Sequence, residues 1–520
     1  MTVLDWCLVI GLNAAIIVYG LFRSRETKSS ADWFLAGRSL PWWVVGFSLW
    51  ATAIDSSDLV ADSGGTYSLG LQYFVTNWVG TVVGWVLGAH FIVLPMYRAG
   101  MYTNAEYLEA RFGTTARIIS AFVQVQYRTL VLGIIATTIY LTLSVVCGWS
   151  PLATWSVVVG IALLATIYTA LGGLKSVAVT DALQSVVMII ASIVLFVIVW
   201  NEAEGLSGIA RRLDQEQTGL AATLLHVGHD KVLTEDVSKL DSRAIQRRLL
   251  IGGEYDKDRQ QIVRTIPAWL ACLSFFIIGL SYSVVNHTQS MRMFGARSEW
   301  DLKMSAVVAG VILIVTTFTN LMIGVTGRAL YATLPPDVAE YGTNDVIYPL
   351  LVRELTGPGM MGLVVAGILA ASFSTYDSIG STLSSLLVRD VYARLFVRER
   401  DDRHYLRVGR WLTPVIIFGS FAYVPFLLES GMLMFYIELV GAFVAPLLTI
   451  YLMGTFTRVH RKTGAIGLLA GVAYGVLRLL APLIAETFGI AVLPAVMADG
   501  LAGWVFCVLV TGGTMLVGSL

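Results

Sequence analysis

The stretch Trp50-Ala-Thr-Ala-Ile-Asp-Ser-Ser-Asp-Leu-Val-Ala-Asp-Ser-Gly-Gly65 sets three aspartates, Asp55, Asp58 and Asp62, inside an apolar run from 41 to 66. About 20 apolar residues are enough for a helix to cross a bilayer. Spacings of three and four put the three carboxylates on one helical face. Each costs about 2.5–3.5 kcal/mol near mid-bilayer, so the pattern points to a wet cavity or a cation. The alternative is that Asp62 and Gly64-Gly65 lie near the membrane surface and simply end the helix.

The rest of the chain agrees that lipid is its solvent. Of 520 residues, 56% are apolar and 13% charged, and the mean hydropathy is +0.73. A water-soluble protein carries roughly 25% charge. The formal net charge is zero, which gives a nucleic acid nothing to bind. Cys7, Cys147, Cys272 and Cys507 lie far apart in apolar stretches, so neither a disulfide framework nor a metal cluster is expected. No Walker A sequence occurs, and no nucleophile–base arrangement suggests an enzyme.

Thirteen stretches are long and apolar enough to span: 4–22, 41–66, 70–97, 115–147, 151–170, 174–200, 264–286, 301–331, 360–392, 405–427, 430–456, 463–486 and 500–520. Helix is the only option for single spans, because lipid cannot satisfy free backbone groups. Lys and Arg fix the orientation. Seven arginines crowd Arg389 to Arg410, and others fill 23–38, 98–117, 292–303 and 458–462, while the opposite short loops hold only Arg328 and Arg353. The N-terminus is therefore expected outside, in a multi-pass protein of the plasma membrane, such as a bacterial inner membrane. The charged 201–263 segment is expected as a long extracellular loop.

A second polar run is Ala370-Ala-Ser-Phe-Ser-Thr-Tyr-Asp-Ser-Ile-Gly-Ser-Thr-Leu-Ser-Ser385. Hydroxyls in membrane helices often only bond back to their own helix. Asp377 argues for more, because a hard cation wants several oxygen ligands.

These residues resemble the sodium/solute symporter family, which includes sodium/glucose, sodium/proline and sodium/sialic-acid carriers. The resemblance is carried by Trp33-Phe-Leu-Ala-Gly-Arg-Ser-Leu-Pro-Trp-Trp43, Ser63-Gly-Gly-Thr-Tyr-Ser-Leu-Gly70, Gly172-Gly-Leu-Lys-Ser-Val-Ala-Val-Thr-Asp-Ala-Leu-Gln184, Asn286-His-Thr-Gln-Ser-Met-Arg292 and the hydroxyl run ending in Arg389-Asp-Val-Tyr392. It implies an all-α membrane protein of about 13 helices with an inverted five-helix repeat core of the leucine-transporter type. The repeats would occupy 41–200 and 264–456, with a peripheral helix and inner loop at 1–40 and peripheral helices at 457–520. The first helix of each repeat would be broken at mid-membrane, with Gly279 a candidate for the second break. Freed carbonyls at such breaks are ready ion ligands.

The resemblance also implies co-transported sodium. The family's main sodium site falls on the carbonyls of Ala51, Ile54 and Ala371 and the hydroxyls of Ser374 and Thr375. A second site, found in some members, falls on Asp181, Asp377 and Ser378. Members typically have small or hydroxyl residues at the position of Asp377, and Asp181 has an alternative partner in Arg292. The solute cavity falls beside Asp55, Asp58, Asn77, Tyr282 and Glu438, with Tyr282 at the inner-gate tyrosine. The sugar carriers' glutamine, glutamate, asparagine, lysine and glutamine are replaced by Asp58, Asn77, Gly279, Leu313 and Glu438. Asp58 and Glu438 would demand a cation or neutralisation by Arg128, which favours a zwitterionic or cationic small solute. A monomeric, sodium-coupled importer working by alternating access is therefore expected. A proton-coupled carrier on the same fold and a sugar symporter with a divergent pocket remain the alternatives.

Overall fold

A computed structural model describes residues 1–24, 35–71, 74–171, 174–227, 231–238, 242, 245, 254–257, 259–397, 399–430 and 432–520. The main helices are α1 (Val3–Ser24), α2 (Trp42–Ala53), α3 (Ser56–Leu69), α4 (Phe74–Gly88), α5 (Thr114–Cys147), α6 (Pro151–Leu171) and α7 (Leu174–Glu202). They continue as α8 (Ala268–Val284), α9 (His287–Phe294), α10 (Glu299–Leu330), α11 (Met360–Leu386), α12 (Asp402–Gly419), α13 (Met432–Phe456), α14 (Thr463–Phe488) and α15 (Ala502–Val517). Among the described residues nine helices are long and apolar enough to cross a membrane, ten if the bent pair α8–α9 counts as one span. The remaining expected spans fall on the pair α2–α3 and on the shorter apolar helices Pro151–Ile167 and Ala502–Val517.

The break between α2 and α3 is written locally. Asp55 caps α3: its carboxylate accepts from the Ser57 N–H at 2.8 Å, while Asp58 accepts from the Asp55 N–H at 2.8 Å. This reciprocal capping box starts a new helix in the middle of an apolar run. Ile54 is left extended between the two. The second break differs from expectation. Gly279 lies inside α8, and the turn comes at Val285–Asn286, where the Asn286 side chain accepts from the Thr288 N–H at 3.1 Å and the axis bends by 52°. An asparagine that caps a helix outranks a glycine that only permits a bend.

Gly279 serves close packing instead. A Cβ there would stand 2.0 Å from the Thr81 carbonyl oxygen. Gly80 and Gly84, facing α8 from α4, meet the backbone of Cys272 and Phe276 in the same way. Small residues four apart let two helices approach until their backbones touch, the main source of attraction between helices in lipid.

The 201–263 segment is not uniformly helical or loose. Gly205–Glu216 and Leu220–Leu224 are helices whose Ile209, Leu213, Ala221 and Leu224 are buried with Leu71, Phe275, Met322 and Leu501. The Leu71 N–H donates to the Leu224 carbonyl at 2.7 Å, and Arg328 pairs with Glu216. Three short strands follow: β1 (Lys231–Asp236), β2 (Glu254–Asp256) and β3 (Gln261–Ile266). They form an antiparallel sheet in the order β1-β3-β2, with Lys231 opposite Ile266 and Glu254 opposite Val263. The expected all-α chain thus carries a small sheet, and β3 delays α8 to residue 268. At the other end, Asp5 of α1 accepts from the N–H groups of Gly359 and Gly362 and fastens α1 to the start of α11, a carboxylate at a helix N-terminus.

Candidate functional site

The capping box frees oxygens as well as turning the chain. The last four carbonyls of a helix lack intrahelical donors. The Asp55 N–H, which would have bonded Ala51, points to Asp58 instead. The Ala51 carbonyl is left at this end, and Ile54, three residues on, is the extended residue that follows the helix. Across from them runs α11, buried almost throughout. Ser372 and Thr375 bond back to Ile368 and Ala371 within α11. Ser374 does not: its hydroxyl lies 2.7 Å from Asp181 Oδ1 on α7 and 3.3 Å from the Ala51 carbonyl oxygen. Both oxygens lie within reach of its one proton, so the hydroxyl ties α11 to the broken end of α2. The structure brings Ser374 to Ala51, while Thr375 and Ala371 are bonded to each other along α11.

The second ion-site residues meet around a guanidinium. Arg292 of α9 and Asp181 are both fully buried and paired at 2.6 Å. Arg292 also donates to Ser48 at 2.6 Å, to the Thr288 carbonyl at 2.7 Å and to Ser378. Ser48 in turn donates to Asp181 at 2.7 Å. Arg292 supplies the positive charge between Asp181 and Ser378, and a sodium ion there requires that side chain to withdraw. Asp377 is fully buried; its Oδ1 accepts from Ser378 at 3.0 Å, and its Oδ2 has no partner among the described residues.

Asp55, Asp58 and Asp62 line one small cavity of about 30 Å³ with Met432, Tyr282 and Tyr436. That space holds about two waters at most, so a solute must enter a more open state. Among the described residues no lysine or arginine lines it. Asp62 is in the cavity wall and not at a helix end, which overturns the surface alternative. Glu438 is not there: it is exposed, on the far side of α13, close to Gly500, and its carbonyl accepts from Arg478. The cavity's second anionic group is thus Asp55 or Asp62, not Glu438. The side chain of Asn77, on α4, lies outside the described residues.

Tyr436 is the residue sequence reasoning missed. Its hydroxyl lies 3.2 Å from that of Tyr282. The pair forms the floor of the acidic cavity and the roof of a second, about 10 Å³ chamber lined by Tyr127, Arg128, Ser281 and Asn286. Tyr436 is two residues from the expected Glu438, about 200° around a helix of 3.6 residues per turn.

A family model described as sodium:solute symporter family matches residues 33–474. The chain is 29% identical to sodium/glucose cotransporter 2 of Rattus norvegicus over 493 residues, 91% of this chain and 70% of that protein. Its structure is similar to the substrate-bound outward-open state of a sodium-coupled sialic acid symporter, with a TM-score of 0.76 at 19% identity, over 99% of this chain and 98% of the other. It is also similar to the nucleobase-cation-symport-1 family transporter Mhp1 in a closed conformation, with a TM-score of 0.55 at 13% identity, over 94% and 95%. These structural likenesses show the fold, that of the leucine-transporter type. A family model matched over most of the chain, on a fold of the leucine-transporter type, has one reading: this chain belongs to the sodium:solute symporter family.

Proposed function

We propose that this symporter imports a small cationic or zwitterionic solute together with sodium, the ion held by Ala51, Ile54, Ala371, Ser374 and Thr375 and the solute's positive group by Asp55, Asp58 and Asp62. Sodium-coupled symport by alternating access is the activity of the family; the ion ligands and the solute class are our reading. One observation carries the solute class: three carboxylates line the central cavity, and among the described residues no basic side chain does, Arg128 lying in the chamber beneath. Like charges that close cannot all stay ionised without a cation, and an ammonium or other basic group supplies one. The likeness to sodium/glucose cotransporters favours a sugar as the second reading. Against it stand Asp58, Gly279 and Leu313 where sugar carriers have neutral or basic hydrogen-bonding side chains.

The energetics suffice. One charge moving down 100 mV yields about 2.3 kcal/mol, and a tenfold sodium gradient about 1.4 kcal/mol more. One sodium can then hold a neutral solute at roughly 500-fold accumulation. Coupling needs only that sodium favour one of two states, and a site joining α11 to the broken end of α2 spans the elements that such a change would separate.

We further propose that the protein works as a monomer in the plasma membrane, bacterial inner membrane being the natural setting, with its N-terminus outside and the repeats at 41–200 and 264–456. The test is uptake into proteoliposomes against a panel of sugars, amines and amino acids. Sodium-dependent uptake inhibited by amines or amino acids, and weakened by Asp58→Asn with sodium binding intact, is the expected result. Inhibition by neutral sugars alone overturns the solute class. Uptake that survives replacement of sodium by choline makes the coupling ion a proton.

A further inference from the structure

The three carboxylates of the central cavity are not satisfied alike. Asp55 is well provided for. Its Oδ1 accepts from the Ser57 N–H at 2.8 Å and from the Ser57 hydroxyl, and it caps the N-terminus of α3, which carries about half a positive charge. Asp58 accepts one backbone N–H, that of Asp55, at 2.8 Å through Oδ2. Asp62 accepts none. It is 8% exposed, lines the cavity, and its carboxylate has no hydrogen-bond donor among the described residues. Burying a carboxylate with neither donor nor counter-charge is among the costliest things a protein can do. Inside a membrane helix such a group marks a solute or ion path.

All three aspartates stand on one segment. Asp55 is locked to α3 by the capping box, so their spacing persists when the helices around them move. At 1.5 Å per residue, Asp58 and Asp62 are about 6 Å apart along the axis, and Asp55 and Asp62 about 10 Å. The other walls of the cavity include Val131 and Ile134 of α5 and Met432 of α13, all apolar. The Ser57 hydroxyl lines the same space but is already given to Asp55, and the Arg128 guanidinium lies beyond the Tyr282–Tyr436 pair. An α-amino acid carries its carboxylate one carbon away from its ammonium. Seated at Asp58, it would hold that carboxylate among three others, with an apolar wall in place of a donor. A monoamine would answer Asp58 and leave a second carboxylate without a counter-charge.

We infer that the solute of this cavity is a linear dication, an alkyl diamine with one ammonium at the Asp55–Asp58 end of the row, the other at Asp62, and its methylene chain against Val131, Ile134 and Met432. Ammonium groups about 6–10 Å apart match an extended chain of about four to seven methylenes, each C–C bond being about 1.5 Å. This rests on the reading of the Asp55, Asp58 and Asp62 cavity as the seat of the solute's positive group. It narrows the solute from any cation or zwitterion to one with two positive charges at a set distance. Two ammonium groups also balance more of the row's charge than one, which matters where water is excluded.

The experiment measures sodium-dependent uptake of radiolabelled 1,4-diaminobutane by the full chain in proteoliposomes. The competitors are the diamines from 1,2-diaminoethane to 1,8-diaminooctane, 1-aminopentane, which puts a methyl group in place of the second ammonium, 4-aminobutanoate, which puts a carboxylate at that end, and glucose. Competition peaks within the diamine series at about four to seven methylenes. 1-Aminopentane and 4-aminobutanoate compete at least about tenfold more weakly, the range for hydrogen bonds to charged groups. Asp62→Asn brings the ratio of diamine to monoamine competition close to one. Asp62→Glu, which keeps the charge and displaces it by one methylene, retains the ratio and shifts the preferred chain length. Both variants keep the wild-type thermal shift on adding sodium, which reports an intact fold. The proposal is overturned by a wild type that takes 1-aminopentane or 4-aminobutanoate as well as it takes diamines, and by an Asp62→Asn protein that prefers diamines as strongly as the wild type. In the first case, weaker amine competition in Asp58→Asn leaves the cavity standing as the seat of a single positive group. Where diamines are not taken up at all the proposal falls, and radiolabelled alanine and glucose, offered in turn, decide whether the single-charge reading falls with it: uptake of alanine keeps that reading, and uptake of glucose alone removes it.

Discussion

The Ser374 hydroxyl lies 3.3 Å from the Ala51 carbonyl oxygen, joining the middle of α11 to the frayed end of α2. The two residues are 323 positions apart in sequence, so the contact exists only because the fold crosses the two helices here. Removing the hydroxyl takes one oxygen from the proposed sodium shell and leaves Asp181 one donor short. Ser374→Ala and Thr375→Ala should each raise the sodium concentration for half-maximal uptake by about tenfold or more, since a charge-assisted contact is worth ~1.5–3 kcal/mol. Sodium titration of uptake checks this, and an unchanged half-point in both variants removes the site.

The Asp181–Arg292 pair is a stability element as well. Deleting one member of a buried ion pair strands the other charge at a cost of roughly 3–5 kcal/mol. Arg292→Gln should therefore lower the melting temperature sharply in detergent. The double variant Asp181→Asn/Arg292→Gln should recover part of that loss. Additive losses in the double variant would mean the two side chains act separately.

Asp345 gives the closed state a pH dependence. It lies in the 331–359 connection, buried, accepting from the N–H of Met432 at the start of α13 at 3.2 Å and from the hydroxyl of Thr343 at 3.0 Å. A Cβ on Gly64 of α3 would run into it, so it wedges between α3 and α13. Burial pushes its carboxyl up from 3.8 to about 6, against those two hydrogen bonds. A carboxyl whose folded value is raised stabilises the folded state fully below its unfolded value, and the effect is lost as pH rises through the folded one. Stability should fall between about pH 4 and 7, by at most about 3 kcal/mol, each tenfold change in proton affinity being worth about 1.4 kcal/mol. Asp345→Asn, which keeps an acceptor for Met432, should flatten that slope in a pH series of thermal melts; a slope as steep as wild type would move the effect elsewhere.

Tyr436→Phe removes the hydroxyl that meets Tyr282 and leaves the ring in place. A single neutral hydrogen bond contributes about 0.5–1.5 kcal/mol, so the closed floor should open up to about tenfold more often. Faster solute exchange across sodium-equilibrated vesicles is the measurement. Identical exchange rates would mean that ring packing, not the hydroxyl contact, closes the floor.

Gly84→Leu puts a large side chain where the Phe276 carbonyl oxygen stands 2.3 Å from a hypothetical Cβ. The variant should fail to give a monodisperse protein in detergent. Gly11→Leu, at a position with no neighbour near a Cβ, is the control and should behave as wild type.

The amino-acid sequence by itself determined where the helices lie, because hydropathy and backbone satisfaction in lipid act over whole segments. It also carried the hydroxyl run of α11, because hydroxyls are local chemistry, while the break in the first core helix is expected only through the family resemblance. It did not determine which face of each helix looks inward. Helices that are apolar on all sides have no preferred rotation until neighbours pack against them, so the family resemblance points to Glu438 where Tyr436 is the residue that faces the cavity. Gly279 was read as a hinge for the same reason, since only the approach of α4 reveals that it is a contact. Tertiary structure alone decided that Arg292 satisfies Asp181, that Asp345 wedges α3 against α13, and that Arg128 comes to lie beneath the Tyr282–Tyr436 pair. Pairings between charges on distant segments depend on how the bundle closes, and no periodicity within a segment encodes that.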